Sequence, residues 1–322
     1  MSVSLRGRGV ISFLILATVL AAPSVQASVI PSGVDVWFGT STPTIAFKRG
    51  FQYLGPGSIL SISGKVIASN AQLLANFKPS FAIPLDRGLD ALAVTGTKKN
   101  PMPLFSTGRS FYSRTLNRMV SDGDLLNSKG QVVATNKQLV EAFKPKGANF
   151  GLDLIWVRST DGQNGPEYWF STNRSFYSNA LGKMVSSNDI LSNRGQIVAT
   201  AADLLGAFKP RSGTGGIGID SLIVHQESDS KEVFWFSTTK DFYSTSLKRM
   251  ISSCDLIASN GTVLLTKRDF MKNFGFVLPI CRPLELRATA LTPPDGEPKP
   301  AEPATVCLLL AGALLATRRR RR

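Results

Sequence analysis

"FSTGRSFYSRTLNRMVSDGDLLNSKGQVVATNKQLVEAFKP", from Phe105 to Pro145, aligns without a gap with "FSTNRSFYSNALGKMVSSNDILSNRGQIVATAADLLGAFKP", from Phe170 to Pro210, at an offset of 65 residues. A third copy, from Phe236 to Phe274, follows 66 residues later, and a half-copy, from Gly57 to Pro79, precedes the first by 66. A period of this size marks a supersecondary unit written several times, not an ordinary mixed domain.

Within each unit the pattern reads mainly as strand. "LDLIWV" and "YWFST" are short apolar or aromatic runs. "DLLNSKGQVVAT" is two strands around a Lys-Gly turn, with Ser-Gly, Arg-Gly and Asn-Gly at the same place in the other units. A short helix follows. Thr135/Asn136 cap it, Leu139, Val140 and Phe143 share one face, and Pro145 stops it. An apolar-Asp marker opens each unit: Val34-Asp35-Val36, Leu89-Asp90-Ala91, Leu152-Asp153-Leu154 and Ile219-Asp220-Ser221, with a weaker Leu284-Glu285-Leu286 at the end. The unit is therefore about four strands and one helix, and the expected fold is mainly β, a β-propeller-like closed array. An open stack of small β-sheets is the alternative. The expected units are 33–79, 88–145, 151–210 and 218–274 within a repeat domain of 28–291. The first is short and lacks a strand, which the alternating "LELRATAL" of 284–291 is placed to supply.

Both ends read as addresses. Arg6 and Arg8 precede an apolar run from Val10 to Ala22, and Val25-Gln26-Ala27 offers small residues where a signal peptidase cuts. Residues 1–27 are thus an expected signal peptide, cleaved between Ala27 and Ser28, with an uncleaved anchor as the alternative. At the other end a Pro-rich tether (292–303) leads to Ala301-Glu302-Pro303, an apolar stretch from Ala304 to Thr317, and Arg318, Arg319, Arg320, Arg321 and Arg322. A permanent span wants about 20 apolar residues, so this stretch suits transient retention, with the arginines held on the cytoplasmic side.

This tail resembles the PEP-CTERM sorting signal of exported bacterial proteins: a Pro-Glu-Pro motif, an apolar segment and a terminal Arg cluster. Ala301 stands where that pattern has its first Pro. The resemblance implies export, processing near Glu302-Pro303 by an exosortase-type enzyme after signal peptidase has acted, and delivery to the cell surface or extracellular matrix. A weak tail anchor ending in a basic stop is the alternative reading of 304–322.

The two Arg of the leader and five of the tail belong to the addresses. The other 30 of the 37 basic residues face 22 acidic ones, a net +8. That balance favours acidic polysaccharide or another anionic surface. The basic residues are scattered, with no Lys/Arg block inside the repeats, so nucleic acid is not an expected partner. Cys307 leaves with the tail, and Cys254 and Cys281 remain as a candidate disulfide pair in an oxidising compartment.

Chemistry is sparse. His225 is the one histidine, and a lone His without an identifiable partner reads as a packing residue. Asp124, Asp189 and Asp255 share one position, with Ser58 in the short unit, and Asp35, Asp90, Asp153 and Asp220 share another. Rings of carboxylates can hold Ca²⁺, but an Asp beside Gly more often accepts backbone N–H groups in a turn. Arg109, Arg174 and Lys240 precede Phe111-Tyr112, Phe176-Tyr177 and Phe242-Tyr243, and Trp169 and Trp235 precede the matching Phe-Ser-Thr. Such positions stack on sugars or pack the core, and core packing is the expected role. No catalytic, cofactor or metal residue is assigned. The expectation is a non-enzymatic exported repeat protein, with a carbohydrate-binding module as the alternative and a propeller-type polysaccharide-active enzyme behind both.

Overall fold

A computed structural model of the chain describes residues 30, 35–40, 44–46, 52–55, 57–80, 88–97, 99–147, 149–158, 165–228, 231–274 and 286–291. Four units follow one another. The first holds β1 (Val36–Thr40), β2 (Thr44–Ala46), β3 (Gln52–Leu54), β4 (Ile59–Ser61), β5 (Val66–Ala68) and α1 (Asn70–Leu74). The second holds β6 (Leu92–Gly96), β7 (Pro101–Phe105), β8 (Phe111–Ser113), β9 (Arg118–Val120), β10 (Leu125–Asn127), β11 (Gln131–Ala134) and α2 (Asn136–Val140). The third holds β12 (Leu154–Arg158), β13 (Glu167–Ser171), β14 (Phe176–Ser178), β15 (Lys183–Val185), β16 (Ile190–Ser192), β17 (Gln196–Ala199) and α3 (Ala201–Leu205). The fourth holds β18 (Ile219–Ser228), β19 (Lys231–Thr238), β20 (Phe242–Ser244), β21 (Arg249–Ile251), β22 (Leu256–Ala258), β23 (Val263–Leu265) and α4 (Lys267–Phe274), and β24 (Leu286–Leu291) ends the described chain.

Each complete unit folds into a four-stranded antiparallel sheet: β6-β7-β10-β11, β12-β13-β16-β17 and β18-β19-β22-β23, in the order of their pairing. Among the described residues the first unit supplies no inner strand of its own, and β24 takes that place in β24-β1-β4-β5. Inner strands pack in sequence, β24 on β6, β6 on β12, β12 on β18 and β18 on β24, so the sheets form a ring. This is the arrangement of a four-bladed β-propeller, closed by a strand from the far end of the chain as the alternating pattern of 284–291 suggests.

Closure corrects one register read from the sequence. Trp37 pairs with Ser61 as Trp169 pairs with Ser192 and Trp235 with Ala258. β1 is therefore a second strand, and Asp35 matches Glu167, not Asp90, Asp153 or Asp220. The first unit is short because its first strand comes from elsewhere. The sequence reading also left out a small hairpin inserted between the second and third strands of every unit: β2-β3, β8-β9, β14-β15 and β20-β21.

The apolar core lies between units rather than within them. Phe77, Phe143 and Phe208 close three joints, each meeting a Phe of the next unit edge to face: Phe77–Phe111 at 5.7 Å, Phe143–Phe176 at 5.8 Å and Phe208–Phe242 at 6.0 Å. At the fourth joint Phe38 meets Phe270 at 4.9 Å and Phe274 at 5.9 Å. Phe38, Phe105, Phe170 and Phe236 are fully buried at matching places, and truncating one to Ala would cost about 3–5 kcal/mol.

Polar bonds repeat as faithfully. Ser69, Thr135 and Thr200 cap their helices in capping boxes with Gln72, Gln138 and Asp203. The Oγ of Ser113, Ser178 and Ser244 donates across the joint to the carbonyl of Phe77, Phe143 and Phe208, at 2.8, 2.8 and 2.7 Å. Ala46 holds that register position in the first unit, which therefore brings no such hydroxyl to the fourth joint. Gly195, in the turn between β16 and β17, shows why glycine is needed there. Its φ is +84°, and an added Cβ would lie 3.0 Å from the Ala142 Cβ of the preceding unit.

Candidate functional site

The buried carboxylates serve the fold. Asp124 accepts from the N–H of Ser121 (3.1 Å) and Asn136 (3.0 Å), and Asp255 from Ser252 (3.1 Å) and Lys267 (2.8 Å). Asp189 accepts from Ser186 at 3.1 Å. Each joins the β-turn before the third strand, and in Asp124 and Asp255 the second oxygen reaches the start of the unit's helix. Burial raises the pKa of Asp189 and Asp255 despite these bonds. Asp90 accepts from the Asn173 amide of the next unit at 3.0 Å. Among the described residues, no group of three or more His, Cys, Asp or Glu could hold a metal ion.

The aromatic-basic positions divide. Phe111, Phe176 and Phe242 are buried, as are Trp169 and Trp235, which is the core role expected of them. Tyr112, Tyr177 and Tyr243 instead face solvent on the inserted hairpins, because strand alternation turns the middle residue of Phe-Tyr-Ser outward. Directly opposite them stand Met119, Met184 and Met250, at 58–60% exposure. Sequence reasoning missed these methionines, although their constant spacing from the tyrosines was in view.

Cations border each pair. Arg118, Lys183 and Arg249 adjoin the methionine in sequence, but they pair with Ser113, Ser178 and Ser244 across the hairpin, and Arg249 is ion-paired with Asp255 at 3.7 Å. The carbonyls of Lys78, Lys144 and Lys209 bond to Arg114, Asn179 and Thr245 at the hairpin of the next unit. These three exposed lysines occupy the left-handed region, with φ of +46°, +48° and +47°, a conformation costing an L residue roughly 1–2 kcal/mol. Each lies between a Phe that must enter the core and a Pro that cannot continue the helix. Arg109, Arg174 and Lys240 are exposed in the turns leading into the hairpins. In the first hairpin Ile45 and Tyr53 are the cross-strand pair.

A second repeated position lies at the joints. Trp169 Nε1 donates to Glu167 Oε1 at 2.8 Å, its ring stacks on Phe234 at 6.0 Å, and the Arg158 guanidinium sits 4.9 Å from the ring centroid. Burial pushes the Glu167 pKa up, but bonds from Ser192 and Trp169 and the charges of Arg194 and Arg158 outweigh it, so the carboxyl lies below its usual value. Trp235 stacks with His225 at 4.6 Å, which gives the lone histidine a packing role. Trp37 Nε1 donates to Asp35 at 3.1 Å. The second unit has Leu104 at this place, and a groove of about 660 Å³ opens beside it.

Cys254 is buried in the joint between the fourth and first units, and burial pushes its thiol up to about 12. Cys281, its expected disulfide partner, lies outside the described residues, as do Ala27, Ser28, Ala301, Glu302, Pro303 and Arg318 to Arg322. Among the described residues no helix is long and apolar enough to cross a membrane. Compared with protein-family models and with curated proteins, the chain matches none.

Proposed function

We propose that this chain is an exported, non-enzymatic repeat protein, sorted by its PEP-CTERM-like tail to the cell surface or matrix. There its hairpins hold acidic polysaccharide. The observation that carries the reading is what the units leave exposed. Three times over, a Tyr-Met pair stands on a hairpin with cations on its borders (Tyr112 and Met119, Tyr177 and Met184, Tyr243 and Met250). Asp124, Asp189 and Asp255, the carboxylates that recur from unit to unit before the third strand, are bonded to backbone N–H groups of their own units. Aromatic faces stack on sugar rings and cations meet uronate or sulfate groups, each contact weak and the set multivalent.

The test is binding of residues 28–303 to immobilised polygalacturonate, with neutral dextran as control. Saturable, salt-sensitive binding, lost when Tyr112, Tyr177 and Tyr243 are all changed to Ala in a chain that still melts cooperatively, supports the reading. Equal binding by the triple variant refutes it. The sorting half is tested by the mass of the protein recovered from its host. Loss of the leader and of residues beyond about Glu302 is expected, and an intact Arg318–Arg322 end would contradict it.

A further inference from the structure

The groove beside Leu104 lies at the one joint among the described residues whose second strand carries no tryptophan. Strand register aligns four positions around each joint tryptophan. At the third unit they are Trp169, Arg158, Glu167 and, from the fourth unit, Phe234. At the second unit the same positions hold Leu104, Thr95, Met102 and, from the third unit, Tyr168. The indole, the cation over it and the carboxylate that takes its N–H are all replaced. The aromatic ring on which the indole would stack is kept. All four of these residues line the groove, together with Val157 and Arg118. Its volume lies within the roughly 300–1,000 Å³ of small-ligand sites.

We propose that this groove binds an indole ring presented as a tryptophan side chain by a partner polypeptide. Three sibling joints show that the fold accommodates an indole at this register. Tyr168 offers its face for stacking, Met102 a thioether and Arg118 a cation for the guest ring. A sugar is disfavoured: its hydroxyls would be desolvated against Leu104, Met102 and Val157. The most buried polar group in the lining, Asn127, is already engaged with Gln131 and with the N–H of Lys129. A second copy of the chain is a poor donor. Trp37, Trp169 and Trp235 are at most 5% exposed, and Trp156 is packed against two joint cores. The groove shares Arg118 with the first tyrosine hairpin, but Tyr112, Tyr177 and Tyr243 do not line it, so the triple tyrosine variant and the Tyr168→Ala variant test the two readings apart.

The experiment is saturation-transfer NMR of residues 28–303 with N-acetyl-tryptophanamide, beside N-acetyl-leucinamide and methyl glucoside. Saturable transfer to the indole alone is expected. Leu104→Trp supplies the chain's own indole and should abolish it with the melting temperature kept or raised. Tyr168→Ala, which removes the stacking face, should weaken binding at least tenfold and carries the test if Leu104→Trp does not fold. No binding by the wild-type chain, undiminished binding by either variant, or equal transfer to leucinamide or glucoside would overturn the proposal.

Discussion

Ser178→Ala isolates one bond of the ring. The Ser178 Oγ is buried, donates to the Phe143 carbonyl at 2.8 Å and accepts from the Leu181 N–H at 3.1 Å. Removing it leaves the Leu181 N–H without that partner. The carbonyl keeps the Ala180 N–H at 3.2 Å, so its share of the loss is partial. A buried donor left unsatisfied costs about 1–3 kcal/mol, and ~2 kcal/mol is the expected loss. For a chain of this size that lowers the melting temperature by roughly 4–8 °C. Ser113 and Ser244 make the same bond at 2.8 and 2.7 Å in separate joints, so the three losses should add. The triple variant then loses about 6 kcal/mol, a large part of the 5–15 kcal/mol typical of a folded domain. The assay is urea unfolding followed by circular dichroism, with the slope checked for constancy. A loss below about 0.5 kcal/mol for Ser178→Ala would refute the claim that these hydroxyls fasten unit to unit.

Three further outcomes follow from the same geometry. Because the Glu167 pKa is lowered, its contribution is fully present above the ordinary carboxylate value and disappears as pH falls through the lower folded value. Glu167→Gln should therefore flatten the acid limb of the stability profile, and an unchanged limb would contradict the bonding described. Asp189 and Asp255 have the opposite sign. Their raised values make ionisation unfavourable to the fold as pH rises through the ordinary carboxylate value, so they add nothing to acid lability. Gly195→Ala should destabilise by about 1–3 kcal/mol in thermal melts, and a neutral result would mean the turn is not held left-handed against Ala142. With the protein reduced, Cys254 should resist iodoacetamide at pH 8 until urea is added, since its thiol is raised to about 12, and rapid native alkylation would place it outside the core.

The repeat was legible because the residues that build the joints recur: Phe-Lys-Pro, Phe-Tyr-Ser and the Gly turns. The helix was legible from Thr135 and from Leu139, Val140 and Phe143, all three of which are buried. The closing strand was legible from alternation alone. The register of Asp35 was not, because Val-Asp-Val imitates the first-strand marker. Trp37-Phe38-Gly39-Thr40 beside Trp169-Phe170-Ser171-Thr172 carried the better signal. The three-residue strands of the inserted hairpin were too short for periodicity to show. Exposure of the tyrosines was hidden because Phe and Tyr adjoin in sequence while strand geometry sends them to opposite faces. The groove could not be read from Leu104 by itself. Its meaning depends on which residue the next unit places opposite, and pairing in the folded chain settles that.

Closure is the central claim, and hydrogen exchange of β1 tests it most directly. Val36, Trp37 and Phe38 pair on one side with Leu291, Ala290 and Thr289 of β24, while Trp37 and Phe38 pair on the other with Ser61 and Leu60 of β4. Exchange would be measured in residues 28–303 and in a chain ended after Phe274. The account expects β1 to be protected in the longer chain and to lose that protection in the shorter one, with the melting temperature falling as the ring opens. Equal protection of β1 in both chains would show that the first sheet stands without β24, and the closed ring would have to be replaced by an open stack.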